Sequence, residues 1–244
     1  MTATADAAAN PEMGLLARTW GVITAPRPTM ERVVASPRPF GILFICALVL
    51  GLAAASPMFS QAGQQAVLDS QVEARNAMGR PMSDQEYATM QRFAPYFSYF
   101  TIAQMLVFMP IISLIITALC WVVFNTILGG TASFKQVLAI VTHSSVIGTL
   151  GAVLGAPIQV LQTKMTPGGP FNLGALAPFL DQSSVVARFL SYTSVFTIWG
   201  FVVTGIGLAV LYRRKSANIA MGLIVAYALI ALGLMSLFSG GSGR

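Results

Sequence analysis

The chain has 244 residues, of which 55% are hydrophobic and only 9% charged, and its mean hydropathy is +0.73. Soluble domains carry about a quarter charged residues, so this composition excludes a water-soluble globular protein. The formal charge of +6 comes from scattered cations, which points to anionic lipid as the counter-charge; no nucleic-acid partner is expected.

Residues 1–39 read as a cytoplasmic arm. Met1 to Asn10 is polar and alanine-rich with no basic start, so it does not read as a signal peptide. Asn10-Pro11-Glu12 reads as a helix start: a capping Asn, proline at the first helical position and a carboxylate near the positive end. Leu16, Trp20 and Ile23 follow at helical spacing with Arg18 off that stripe. This amphipathic helix either lies at the membrane interface with Trp20 among the headgroups or packs on the bundle, and both can hold. Pro26, Pro28, Pro37 and Pro39 then punctuate the approach to the membrane, leaving room for a helical turn or two between Thr29 and Ala35.

A helix needs about 20 apolar residues to cross the hydrocarbon core. Five stretches qualify: Phe40–Met58, Tyr96–Leu128, Lys135–Gln162, Val185–Tyr212 and Asn218–Phe238. They make residues 40–238 one all-α, polytopic five-span membrane domain. The polar loop 59–95 reads as an outer helical hairpin. Its first helix runs from Gln64 to Met78 and breaks at Gly79-Arg80-Pro81. Ser83-Asp84-Gln85-Glu86 matches a capping box, and Tyr87, Met90 and Phe93 give the second helix an apolar stripe.

The second span, at roughly 33 residues and 1.5 Å each, would extend about 50 Å against a core of about 30 Å. Tilt or a kink at Pro110 accommodates that length as a single helix. The third span carries Gly148, Gly151, Ala152 and Gly155 at spacings that let helix backbones approach closely. Packing within the chain explains these better than a dimer interface, and a homo-oligomer is left open. Ala47, Gly51 and Ala55 repeat the pattern in the first span. Between spans three and four, the apolar run Phe171 to Leu180 is expected on the outer membrane surface. Residues 239–244 read as a flexible tail.

Orientation follows from the cations near the spans. Arg18, Arg27, Arg32, Arg38, Lys135, Arg213, Arg214 and Lys215 share one side of a five-span protein, which makes that side cytoplasmic, with the N-terminus inside and the C-terminus outside. The expected location is a bacterial inner membrane. Cys46 and Cys120, both within spans, read as small buried residues.

No catalytic set, metal-ligand cluster or cofactor motif accompanies these spans, so no enzyme activity, metal or cofactor is expected. The single histidine, His143, lies in the third span beside Ser144 and Ser145. It reads either as a neutral imidazole bonded to a neighbouring helix or as a proton-sensitive element. Gln104, Asn125 and Gln159 either bond across helices or line a polar path. Gly240-Gly241-Ser242-Gly243 spells a rhomboid-type nucleophile motif, but in a terminal tail with no histidine after it.

Two regions together resemble a known family. The first is Thr24-Ala25-Pro26-Arg27-Pro28-Thr29-Met30-Glu31-Arg32-Val33. The second is the turn Leu128-Gly129-Gly130-Thr131-Ala132-Ser133-Phe134-Lys135-Gln136, running into Val137-Leu138-Ala139 and followed by His143-Ser144-Ser145. Both are similar to the bacterial branch of the Yip1 family, as is Ile198-Trp199-Gly200. Val146-Ile147 stands where bacterial relatives often have proline, and the Asp-Leu-Tyr-Gly-Pro stretch of eukaryotic members is absent. The resemblance implies a non-enzymatic multipass protein. The small-residue helix faces and the basic cytoplasmic side point to a scaffold or adaptor for another membrane protein or for lipids. The alternative is a small permease, channel or transporter subunit with a polar path near His143. Physically, Gly129-Gly130 ends span two, Ser133 caps span three and Lys135 meets the headgroups. Gly129, Gly130, Ser133, Phe134, Lys135 and Gln136 are therefore a structural turn or a partner site.

Overall fold

The computed structural model describes residues 13–77, 79–161, 168–181 and 184–239. The Asn10-Pro11-Glu12 start, Met78, the stretch around Lys164 and the tail beyond Ser239 lie outside them. Five helices are long and apolar enough to cross a bilayer, and the described residues form no β-strand beyond one isolated bridge. The protein is an all-α polytopic membrane bundle.

Two short helices open it. α1 (Leu15–Thr24) and α2 (Pro26–Ala35) are separated by Ala25 alone. The prolines that punctuate this stretch start α2 rather than limit it. Pro26 takes the first helical position, where its missing N–H costs nothing, so the helix is longer than the turn or two that the sequence suggests. Thr29, Met30 and Val33 are fully covered, chiefly by contact with the later helices α7 and α9. α1 presents Arg18 and Val22 inward and leaves Trp20 67% exposed. The arm packs on the bundle while its aromatic faces outward.

α3 (Pro39–Ala55) is the first span and runs into a single 3₁₀ turn at Ser56–Phe59. α4 (Gln61–Ala77) and α5 (Asp84–Phe93) form the helical hairpin of the polar loop. The capping box is built as the sequence reads: Glu86 N donates to Ser83 Oγ (3.3 Å) and Ser83 N donates to Glu86 Oε2 (2.9 Å). Arg75 ties the two helices by an ion pair to Glu86 at 2.9 Å, and Gln65 donates to the Tyr87 hydroxyl at 3.0 Å.

α6 (Phe97–Trp121) carries Pro110 without interruption and continues as a π-helical segment, Val122–Ile127. α7 (Phe134–Leu161) is the most enclosed span and packs on α3, α6 and the later α9. Close approach depends on glycine where backbones meet. A Cβ on Gly51 of α3 would stand 3.1 Å from Ile102 Cα of α6.

The fourth span differs from the expected Val185–Tyr212. It divides into α8 (Val185–Tyr192) and α9 (Val195–Tyr212), and only α9 is a candidate span. The break has a local cause. Thr193 and Ser194 take extended backbone and pair with the preceding loop, where Leu173 N donates to Thr193 O (2.8 Å) and Val195 N donates to Phe171 O (3.1 Å). Ser194 then accepts from Phe196 N and caps α9. Leu176 and Phe179 of the same loop are exposed. α10 (Ser216–Ser239) touches α9 and α8 and is the least enclosed span.

Candidate functional site

The turn between α6 and α7 is held by side chains from three helices. It begins where the π-helical segment widens the last turn of α6. There Leu128 N donates to Val123 O at 3.0 Å and Gly130 N to Phe124 O at 2.9 Å. Both bonds reach past the usual four-residue spacing. Gly129 has φ +70°, a left-handed conformation that closes a helix and that glycine adopts without a Cβ penalty. Gly130 is required by space. A Cβ there would fall 2.5 Å from Tyr212 Cε1 and 2.8 Å from Phe124 O.

Asn125 organises the turn. Its amide Nδ2 donates to Ala132 O (2.6 Å), its Oδ1 accepts from Ala132 N (3.2 Å), and the same Oδ1 accepts the Tyr212 hydroxyl of α9 at 2.8 Å. Trp121 Nε1 adds a second donor to Ala132 O at 3.0 Å. Both polar groups of Ala132 are thus paired by side chains, where an irregular loop would otherwise leave them to solvent. Tyr212 also stacks on Phe124, with ring centroids 4.9 Å apart.

Ser133 and Gln136 form a second capping box at the start of α7. Gln136 N donates to Ser133 Oγ (3.3 Å), Ser133 N donates to Gln136 Oε1 (3.0 Å), and Gln136 Nε2 reaches Val34 O of the arm at 3.3 Å. Arg214, in the turn between α9 and α10, donates to Leu128 O at 3.3 Å. On the arm, Arg18 is 3% exposed and donates to Met13 O and Ser36 O. Arm, α6–α7 turn and α9–α10 turn therefore converge on one end of the bundle. On this fixed base Phe134, edge-on to Trp121, and Lys135 are exposed.

The intramembrane polar residues are arranged differently. His143 is fully buried, and its Nδ1 meets Ala139 O at 2.7 Å, one turn back on its own helix. The bond expected to a neighbouring helix is not made. His143 Nε2 and Ser144 Oγ have no hydrogen-bond partner among the described residues. Ser145 donates to Thr142 O, and Thr149 to Ser145 O, also within α7. Cys46 of α3 lies against Ser145 and Thr149. No group of three His, Cys, Asp or Glu side chains gathers among the described residues.

The small-residue positions on α7 all border one cleft of about 240 Å³. Gly151 faces the Phe196 ring and Gly155 faces Pro170, while Gly148 has open space beside it.

Two residues of the turn were not singled out from the sequence, Trp121 and Tyr212. Tyr212 lies 87 positions from its partner Asn125, and nothing in a single chain pairs residues that far apart. The sequence signal available was Asn125 itself, a polar group at a span end that needs a partner.

Comparison with known proteins bears on the whole of this arrangement. Over 225 residues, 92% of this chain and 89% of the other, the sequence is 24% identical to "Membrane protein YknW" of Bacillus subtilis. No solved structure matches. The Yip1 domain pattern matches residues 20–238. That range takes in α2, the clamped turn and all five spans, and the chain belongs to the Yip1 domain family.

Proposed function

We propose that this protein is a non-enzymatic scaffold or adaptor of a bacterial inner membrane, with the N-terminus cytoplasmic and the C-terminus outside. It recruits another membrane protein through the end of the bundle that carries the clamped turn. The observation that carries this reading is the combination of rigidity and exposure there. Asn125, Trp121, Tyr212 and the Ser133–Gln136 box fix the backbone, while Phe134 and Lys135 project from it. A preorganised aromatic beside a cation presents a contact whose ordering cost has already been met in folding. The concentration of Lys and Arg at this end supports a cytoplasmic placement.

A photo-crosslinking residue at Lys135, used in native membranes with a second at exposed Phe179 as control, tests this. The reading expects one stoichiometric protein adduct from position 135, absent from 179 and lost when Phe134→Ala accompanies it. A chain that yields no adduct from 135 at native expression refutes it.

A second reading, a small permease or transporter subunit, is favoured by the unpartnered His143 Nε2 and Ser144 Oγ inside α7. Both atoms are enclosed, so transport would require the bundle to open around α7. A pH-dependent flux in liposomes that His143→Ala abolishes would establish it.

A further inference from the structure

α6 and α10 flank a gap instead of packing together. α6 rests on α3 and α7, and α10 rests on α9 and α8. Between them, at the end of the bundle that carries the basic turn, lies a cleft of about 920 Å³. Its walls are Ile116, Leu119 and Val123 on one side and Ile219, Leu223 and Ala226 on the other. Gly222 has nothing within 4 Å of its Cβ position and leaves the cleft open along α10. Both walls belong to membrane-spanning helices, so the space is hydrocarbon-lined at bilayer depth.

The mouth has the opposite character. Arg213, Arg214 and Lys215 are consecutive, exposed and part of the cleft lining. Arg214 bridges the mouth through its bond to Leu128 O. Arg213 has φ +53° at a helix C-terminus, a conformation that glycine commonly fills. Three cations at headgroup level above an apolar slot match a molecule with an anionic head and a hydrocarbon tail. A partner helix would also meet the apolar walls, but apolar contact alone leaves Arg213, Arg214 and Lys215 at the mouth without a counter-charge.

We propose that this cleft binds one anionic phospholipid, with its phosphate against Arg213, Arg214 and Lys215 and an acyl chain between α6 and α10. The proposal does not depend on the adaptor reading, since the site lies beside the Phe134–Lys135 surface and needs no protein partner.

The test titrates the purified full chain in mild detergent with dioleoyl phosphatidylglycerol and, separately, with dioleoyl phosphatidylcholine, and counts bound lipid by native mass spectrometry. One phosphatidylglycerol per chain is expected, with phosphatidylcholine binding at least about 10-fold more weakly. The triple variant Arg213→Gly, Arg214→Gln, Lys215→Gln should weaken phosphatidylglycerol binding on the order of 10- to 100-fold. Ala226→Phe, which fills the slot and keeps every charge, should weaken it as well. Arg32→Gln, an exposed cation of the arm outside the cleft, should leave it unchanged. Equal binding of the two lipids would overturn the proposal, as would undiminished phosphatidylglycerol binding in the triple variant with its helical content intact. A lipid-free dimer that Ala226→Phe dissolves would assign the cleft to a second copy and overturn it too.

Discussion

Asn125→Leu removes the side chain that joins α6, the turn and α9, and keeps its approximate volume. Three hydrogen bonds go with it: two to Ala132 and one from Tyr212. Ala132 O keeps the Trp121 donor, but Ala132 N–H and the Tyr212 hydroxyl lose their partners. At about 1 kcal/mol per bond, discounted because the site is half-buried and water can reach part of it, the expected loss is about 2–3 kcal/mol. For a chain of this size that corresponds to a fall of roughly 5–10 °C in the unfolding midpoint, readable by thermal unfolding in detergent. Tyr212→Phe alone severs a single bond, keeps the ring stacked on Phe124, and should cost about 1 kcal/mol. The double variant then distinguishes a clamp from two unrelated losses. Once Asn125 is gone, removing the orphaned hydroxyl costs nothing further, so the double variant should match Asn125→Leu and show a coupling of about 1 kcal/mol. Strict additivity of the two single losses would refute the claim that Asn125 and Tyr212 act as one unit.

Other substitutions test separate parts of the structure. Gly151→Ala would set a methyl 2.5 Å from the Phe196 ring, which Phe171 and Trp199 hem in, and should destabilise by about 1–3 kcal/mol; Gly148→Ala, with open space around it, should be neutral or gain up to about 1 kcal/mol, and the same thermal assay reads both. Arg213→Gly relieves a left-handed non-glycine residue and should raise stability by about 1 kcal/mol, shown by a higher midpoint in detergent. Ser83→Ala breaks the capping box of α5 at a cost of about 1 kcal/mol, seen as faster hydrogen exchange in the first turn of α5 with no change in the spans.

The spans were legible because bilayer depth imposes a length on apolar runs, and four of the five expected stretches fall on unbroken helical segments. The fourth does not, because hydropathy is blind to hydrogen bonds made elsewhere. Nothing in Val185–Tyr212 announces that Thr193 and Ser194 will pair with residues 171–173. Local chemistry read well at Ser83–Glu86, where each partner lies within one turn of the other. It read poorly on the arm. Pro26 and Pro28 look like breaks, yet proline at the first turn starts a helix, and only the covering surface of α7 and α9 makes α2 worth forming. Arg18 stands off the apolar stripe in the sequence, yet the structure buries it because Met13 O and Ser36 O accept its N–H groups. At the candidate site Gly129, Gly130 and Ser133 were recognisable from residue type alone. The side chains that immobilise them come from α6 and α9, and sequence distance hides such pairings.

The contact between the arm and α9 joins the beginning of the chain to nearly its end. Met30 Sδ approaches the Cβ position of Gly207 at 3.1 Å, yet a ribosome working at about 5–20 residues per second delivers Gly207 on the order of 10–35 s after Met30. Throughout that interval the α9 side of Met30 and Val33 stays open, and α2 has only α1 and, once it is made, α7 to rest on. The cover of α2 is therefore completed only when the fourth span is in place, so a chain stalled before α9 leaves part of that apolar face open.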